Sequence, residues 1–132
     1  MQLIFCSDRF NLSQPRDYFI NECCYGDDVA GWLAERLRLR GFEVSEPGQE
    51  DWGWYCYVRC GDTSYFVGVG GMPGEERASR NLGQWRLMVE KRRSLRDRLT
   101  RTNLFVADED LFVEALKEIV IAEPDLVFVG IE

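Results

Sequence analysis

The sequence predicts an α+β fold: a two-layer sandwich in which a mostly antiparallel sheet of about four to six strands carries two helices on one face. Three observations predict it. Val29, Trp32, Leu33 and Leu37 recur at helical spacing, and so do Leu111, Phe112, Ala115, Leu116, Ile119 and Val120; each set is a single stripe that needs one partner layer. Between them, residues 53–60 and 84–90 alternate with the period of a strand. Gly61-Asp62 joins two strands by a two-residue turn, the mark of an antiparallel hairpin. The chain has 132 residues, with no repeat and no low-complexity tract. One domain over residues 1–132 is expected, large enough to bury a core without disulfides or metal.

In order, QLIFC at residues 2–6 is an apolar run that reads as a strand. Residues 7–16 have loop composition, and DYFIN at 17–21 reads as a second strand. The first helix follows. Asp27 or Asp28 is its expected cap, Arg36, Arg38 and Arg40 suit the negative end of its dipole, and Gly41 ends it. Phe42, Val44 and Glu46 give a short strand, and Pro47-Gly48 a turn. In GWYCYVRC, residues 53–60, Trp54, Cys56, Val58 and Cys60 share one face, and Tyr55, Tyr57 and Arg59 the other. SYFVGVG, residues 64–70, is its hairpin partner. Gly68, Gly70 and Gly71 leave that strand bare on one face, where a large ring from a neighbour can lie.

Residues 71–81 read as a mobile loop and QWRLMVE, residues 84–90, as a further strand. KRRSLRDRLTR, residues 91–101, reads as a short basic helix or a charged loop. Asp108 is the expected cap of the second helix, over about 109–122, which Pro124-Asp125 breaks. LVFVGI, residues 126–131, closes the sheet.

Composition excludes several chemistries. The chain has no histidine, so it holds no Ser-His-Asp or Cys-His triad and no histidine general base. An enzyme built on it would use carboxylates, Lys, Tyr or Cys. Its five cysteines, Cys6, Cys23, Cys24, Cys56 and Cys60, are odd in number and form no Cys-x-x-Cys pair; they read as reduced, structural thiols. No metal or other cofactor is expected from this donor set. No apolar run reaches membrane-spanning length, and MQLIFCSDRF lacks the pattern of a signal peptide, so a cytoplasmic protein without a membrane partner is expected. The net charge of −7 is unevenly placed: residues 77–101 hold nine basic and two acidic side chains between two acidic flanks. Neutralisation of those flanks is the expected role of the basic stretch. Overall acidity argues against direct nucleic-acid binding.

Four stretches could carry chemistry. In Glu50-Asp51-Trp52-Gly53-Trp54 two carboxylates precede two indoles, and a kink at Gly53 would let both rings flank one space. Carboxylates beside aromatic faces suit an arginine, a lysine or an amine ligand; the plainer reading is a solvated turn followed by core tryptophans. Asp27 and Asp28 read first as a helix cap. Together with Glu50 and Asp51 they would make a four-carboxylate site for Mg²⁺ or Ca²⁺, although no calcium-loop spacing is present. Gly68, Gly70, Gly71 and Gly74 lack the Gly-Lys-Ser/Thr ending of a phosphate loop. Lys91, Arg92, Arg93, Arg96, Arg98 and Arg101 read as a solvated basic face.

FIN-x-x-CYGDD-x-A-x-WL at residues 19–33, followed by P-x-x-EDWGW at 47–54, resembles a pattern in a family of small uncharacterised bacterial proteins. The resemblance covers about the first half of the chain. It implies a bacterial cytosolic source and carries no activity.

The sequence therefore favours a small acidic binding protein that docks on a basic surface of a partner protein, in the manner of an immunity or inhibitor protein. Its expected binding residues are Glu50, Asp51, Trp52, Trp54, Asp27 and Asp28. Two other classes stand beside it: a metal-dependent enzyme centred on Asp27, Asp28, Glu50 and Asp51, and a small-ligand sensor with Trp52 and Trp54 as a cage.

Overall fold

Alternation along the chain builds one wide sheet. The computed structural model of the chain describes residues 1–72, 83–92, 99, 106 and 110–132. Among these, seven strands and two helices follow in the order β1 (Gln2–Ser7), α1 (Asp27–Leu39), β2 (Glu43–Val44), β3 (Gly48–Glu50), β4 (Gly53–Cys60), β5 (Thr63–Met72), β6 (Gly83–Arg92), α2 (Leu111–Ala122) and β7 (Val127–Ile131). The strand order is β2-β4-β5-β6-β1-β7, with β3 also paired to β4, and every pairing is antiparallel. The fold is the expected α+β sandwich with an open sheet. It has seven strands because β2 and β3, each only a few residues long, share the same edge of β4.

Both helices lie on one face. Leu3, Phe5, Cys56, Val58, Tyr65, Val67, Val69, Trp85, Leu87 and Val89 alternate along the strands and form one continuous core with Val29, Leu33 and Leu37 of α1 and Phe112, Leu116 and Val120 of α2. Tyr65 stacks on Phe112 at 4.4 Å between ring centroids. The other face carries Tyr55, Tyr57, Phe66, Gly68, Gly70, Arg86, Met88 and Glu90, which fall between the core positions in the strand registers.

The helix ends differ in part from expectation. Gly26, at φ 120°, is the N-cap of α1, and no side chain caps it; Asp27 and Asp28 stand inside the first turn, where they suit the dipole. Asp28 accepts hydrogen bonds from Val29 N at 2.9 Å and from Asn11 N at 2.8 Å, so it tethers the preceding loop. At the other end Phe42 N donates to Leu37 O and Gly41 N to Arg38 O, and Gly41 sits at φ 90°, a Schellman ending. The cap of α2 is Asp110, which accepts from Phe112 N at 2.9 Å. The expected cap, Asp108, lies outside the described residues. In the stripe of α2, Leu111, the first residue of the helix, is exposed and Val113 is buried.

Two further expectations are corrected. DYFIN, residues 17–21, forms no strand. Side chains satisfy its polar groups: Ile20 N donates to Gln49 Oε1, and Asn21 Nδ2 to Asp51 O. Residues 48–50, read as part of a turn, form β3. The apolar run that becomes β7 lies at an edge, with Val127 and Val129 exposed and its register on β1 shifted between Ile4 and Phe5. The expected loop at 71–81 and the basic run at 91–101 fall largely outside the described residues; Lys91 and Arg92 close β6. No described helix is long and apolar enough to cross a membrane.

Candidate binding site at the acid-and-indole hairpin

Glu50 pairs with Gly53, so β3 and β4 form a hairpin whose two turn residues are Asp51 and Trp52. Gly53 is required there. Its φ is 155°, and a Cβ at this position would collide with the carbonyl oxygen of Val69. The backbone of β4 thus starts in close contact with β5.

The loop over residues 17–24 fixes the turn from the other side. Gln49 Nε2 donates to Tyr18 O at 3.0 Å, Asn21 Nδ2 to Asp51 O at 2.7 Å, and the Cys24 thiol to Glu50 O at 2.9 Å. Burial pushes the Cys24 thiol above its ordinary pKa, which keeps it a donor. Glu50, Asp51 and Trp52 are all exposed, on a turn braced by these bonds.

The two tryptophans part at Gly53. Trp54 faces the helix side, donates its Nε1 proton to Cys24 O at 2.9 Å, and packs edge-on against Tyr18 and Phe19. Trp52 turns to the helix-free face. Its ring lies over Gly68, where a Cβ would stand 2.8 Å from its outer edge, and it meets Phe66 at 6.2 Å between centroids. The bare strand does receive a large neighbouring ring. The pair does not enclose one space, so the Trp52–Trp54 cage is overturned.

The acids also divide. Asp28 holds Asn11 N, and Asp27 accepts the Tyr18 hydroxyl, whose pKa that bond raises. Glu50 and Asp51 sit at the tip of the β3–β4 hairpin. Among the described residues, no group of three or more carboxylates or thiols converges as a metal-ligand set. Asp27 and the hairpin acids are instead joined through one loop, because Tyr18 bonds Asp27 while Asn21 bonds Asp51 O.

One feature was not read from the sequence. Beside Trp52, on the helix-free face, lies a groove of about 450 Å³, lined by Trp52, Phe66, Gly70, Met72, Met88, Arg86 and Glu90 among others. A Cβ built on Gly70 meets nothing within 4 Å. The spaced glycines of β5 were the available signal. What they lacked was the neighbouring strand: Met88 and Arg86 face them only through the β5–β6 register, Gly68 to Met88 and Gly70 to Arg86.

No protein-family model, no curated protein and no solved structure matches this chain.

Proposed function

We propose that the protein is a non-enzymatic binding module that docks on a basic surface of a partner protein through the hairpin tip Glu50-Asp51-Trp52. The observation that carries this reading is Trp52. It is 41% exposed although it is one of the largest side chains in the chain, and two exposed acids precede it directly. Large exposed rings at the edge of an apolar patch are characteristic of protein interfaces. Here the patch continues through Tyr57 and Met72, both exposed. The acids favour a partner of positive charge and reject acidic ones. A cytoplasmic immunity or inhibitor role is the biological form this reading takes.

The test is affinity capture from cells of the source with the wild type and Trp52→Ala side by side. The expected result is a basic protein retained by the wild type, released by salt, and lost with Trp52→Ala at unchanged fold. Equal retention by both would overturn the reading.

A further inference from the structure

We infer that the groove beside Trp52 is the seat of an aromatic side chain, presented by a basic segment of the docking partner. The inference rests on the docking reading above and names what the partner inserts.

The groove has the form of such a seat. Its floor is bare backbone at Gly70, where nothing occupies the space a side chain would fill. Glycine inside a strand commonly marks the close approach of another group. The walls are two aromatic rings, Trp52 and Phe66, and two thioethers, Met72 and Met88. Thioethers adapt to the edge and face of an aromatic ring, and edge-to-face contact with Trp52 or Phe66 adds to it. A volume of about 450 Å³ lies in the range of small-ligand clefts.

The charge around the groove selects the flanks of that ring. Glu50 and Asp51 stand on the turn that ends in Trp52, and exposed Glu90 lines the groove itself. Among the described residues Arg86 is the cation in the lining: Nη1 donates to Gln2 Oε1 at 2.9 Å and lies 3.6 Å from the exposed Glu132, while its buried Nε has no partner among them. Arg92, further along the same face, is stacked on Tyr57 at 4.4 Å. A ring flanked by lysine or arginine therefore meets acids on the rim and apolar walls inside. A phosphate-bearing ring meets the same acids as a repulsion.

The experiment uses the full chain with carbon-13 methyl-labelled methionine. The three methionines are Met1, Met72 and Met88, and the last two line the groove. Three probes are titrated: the peptides Lys-Lys-Phe-Lys-Lys and Lys-Lys-Ala-Lys-Lys, and oligothymidylate. The expected result is that the phenylalanine peptide binds about tenfold or more tightly and shifts the Met72 and Met88 methyls but not Met1. Gly70→Val fills the groove, and it is expected to abolish the difference between the peptides while both retain weak, salt-sensitive binding. Trp52→Ala, which removes a wall, gives the same loss of discrimination if Gly70→Val does not fold. Equal binding of the two peptides, with the Met72 and Met88 signals unmoved, would overturn the seat and leave the docking reading standing. No salt-sensitive binding of either peptide would overturn both. Tighter binding of oligothymidylate than of the phenylalanine peptide, or Met72 and Met88 shifts on dilution without peptide, would assign the groove to a nucleic acid or to a second copy and overturn the basic-segment occupant.

Discussion

At the scale of single residues, Gly53 and Gly70 differ in what a methyl group would meet. At Gly53 it would meet the Val69 carbonyl, in a backbone conformation side chains rarely adopt; at Gly70 it would meet open space. Gly53→Ala is therefore expected to destabilise by about 2 kcal/mol or more, whereas Gly70→Ala is expected to stabilise by up to about 1 kcal/mol, since alanine loses less backbone freedom on folding. Urea unfolding of the two variants checks the contrast, and comparable losses at both sites would show that Gly70 is packed. The tryptophans form a similar pair. Trp54→Ala removes the bond to Cys24 O and the packing on Tyr18 and Phe19 that tie the loop to the sheet. It is expected to lower Tm clearly more than Trp52→Ala, which in turn is expected to weaken partner binding by an order of magnitude or more. Cys56 adds a pH dependence: burial pushes its thiol from 9.0 up to about 11. The folded state holds this proton more tightly than the unfolded chain, so the contribution is intact below about pH 9 and is lost as pH rises toward 11. Tyr65 shifts the same way through burial and its bond to Asp110. Cys56→Val is expected to flatten the alkaline fall in stability, and an unchanged slope would place its origin elsewhere.

At the scale of elements, α2 is fixed by one carboxylate. Asp110 caps the helix at Phe112 N, accepts the Tyr65 hydroxyl at 3.0 Å, and lies 3.3 Å from Lys91 Nζ. It thereby joins the helix start to β5 and β6. Removing it would leave a helix end uncapped and a half-buried lysine without this partner. Asp110→Ala is expected to cost about 2 kcal/mol or more, the sum of a cap and a charged hydrogen bond. Asp110→Asn keeps the neutral acceptor for Phe112 N and Tyr65 and loses only the charge, so a smaller loss is expected. Denaturant midpoints for the two variants measure the difference, and equal losses would show that the ion pair, not the cap, dominates. α1 relies on other means. It starts at a glycine without a side-chain cap and ends in a Schellman turn at Gly41, so most of its stability comes from the buried stripe.

At the scale of the whole molecule, the sheet separates two faces of different composition. One face holds both helices and the core; the other holds Trp52, Tyr57, Phe66, Met72 and Met88 beside the acids of the hairpin. Glu50→Gln with Asp51→Asn is expected to slow association with a basic partner several-fold and to flatten its salt dependence, with little change in dissociation. Stopped-flow association at two salt concentrations measures this, and an unchanged rate would remove the acids from the encounter.

The sequence by itself determined the stripe of α1, most of the stripe of α2, the alternation of β4, the Gly61-Asp62 hairpin and the α+β class, because each is set by a period or a turn within a few residues. Only the tertiary structure decided that the Trp52 ring lies over Gly68 beside Phe66, that DYFIN is a braced loop, that β7 is an edge, and that Met88, Arg86 and Glu90 complete a groove. Each of these depends on a strand register or a contact between distant segments. Gly53 shows the limit most clearly: the glycine itself is plain in the sequence, but a side chain is barred there because the Val69 carbonyl lies against it, and only the folded sheet brings that carbonyl there.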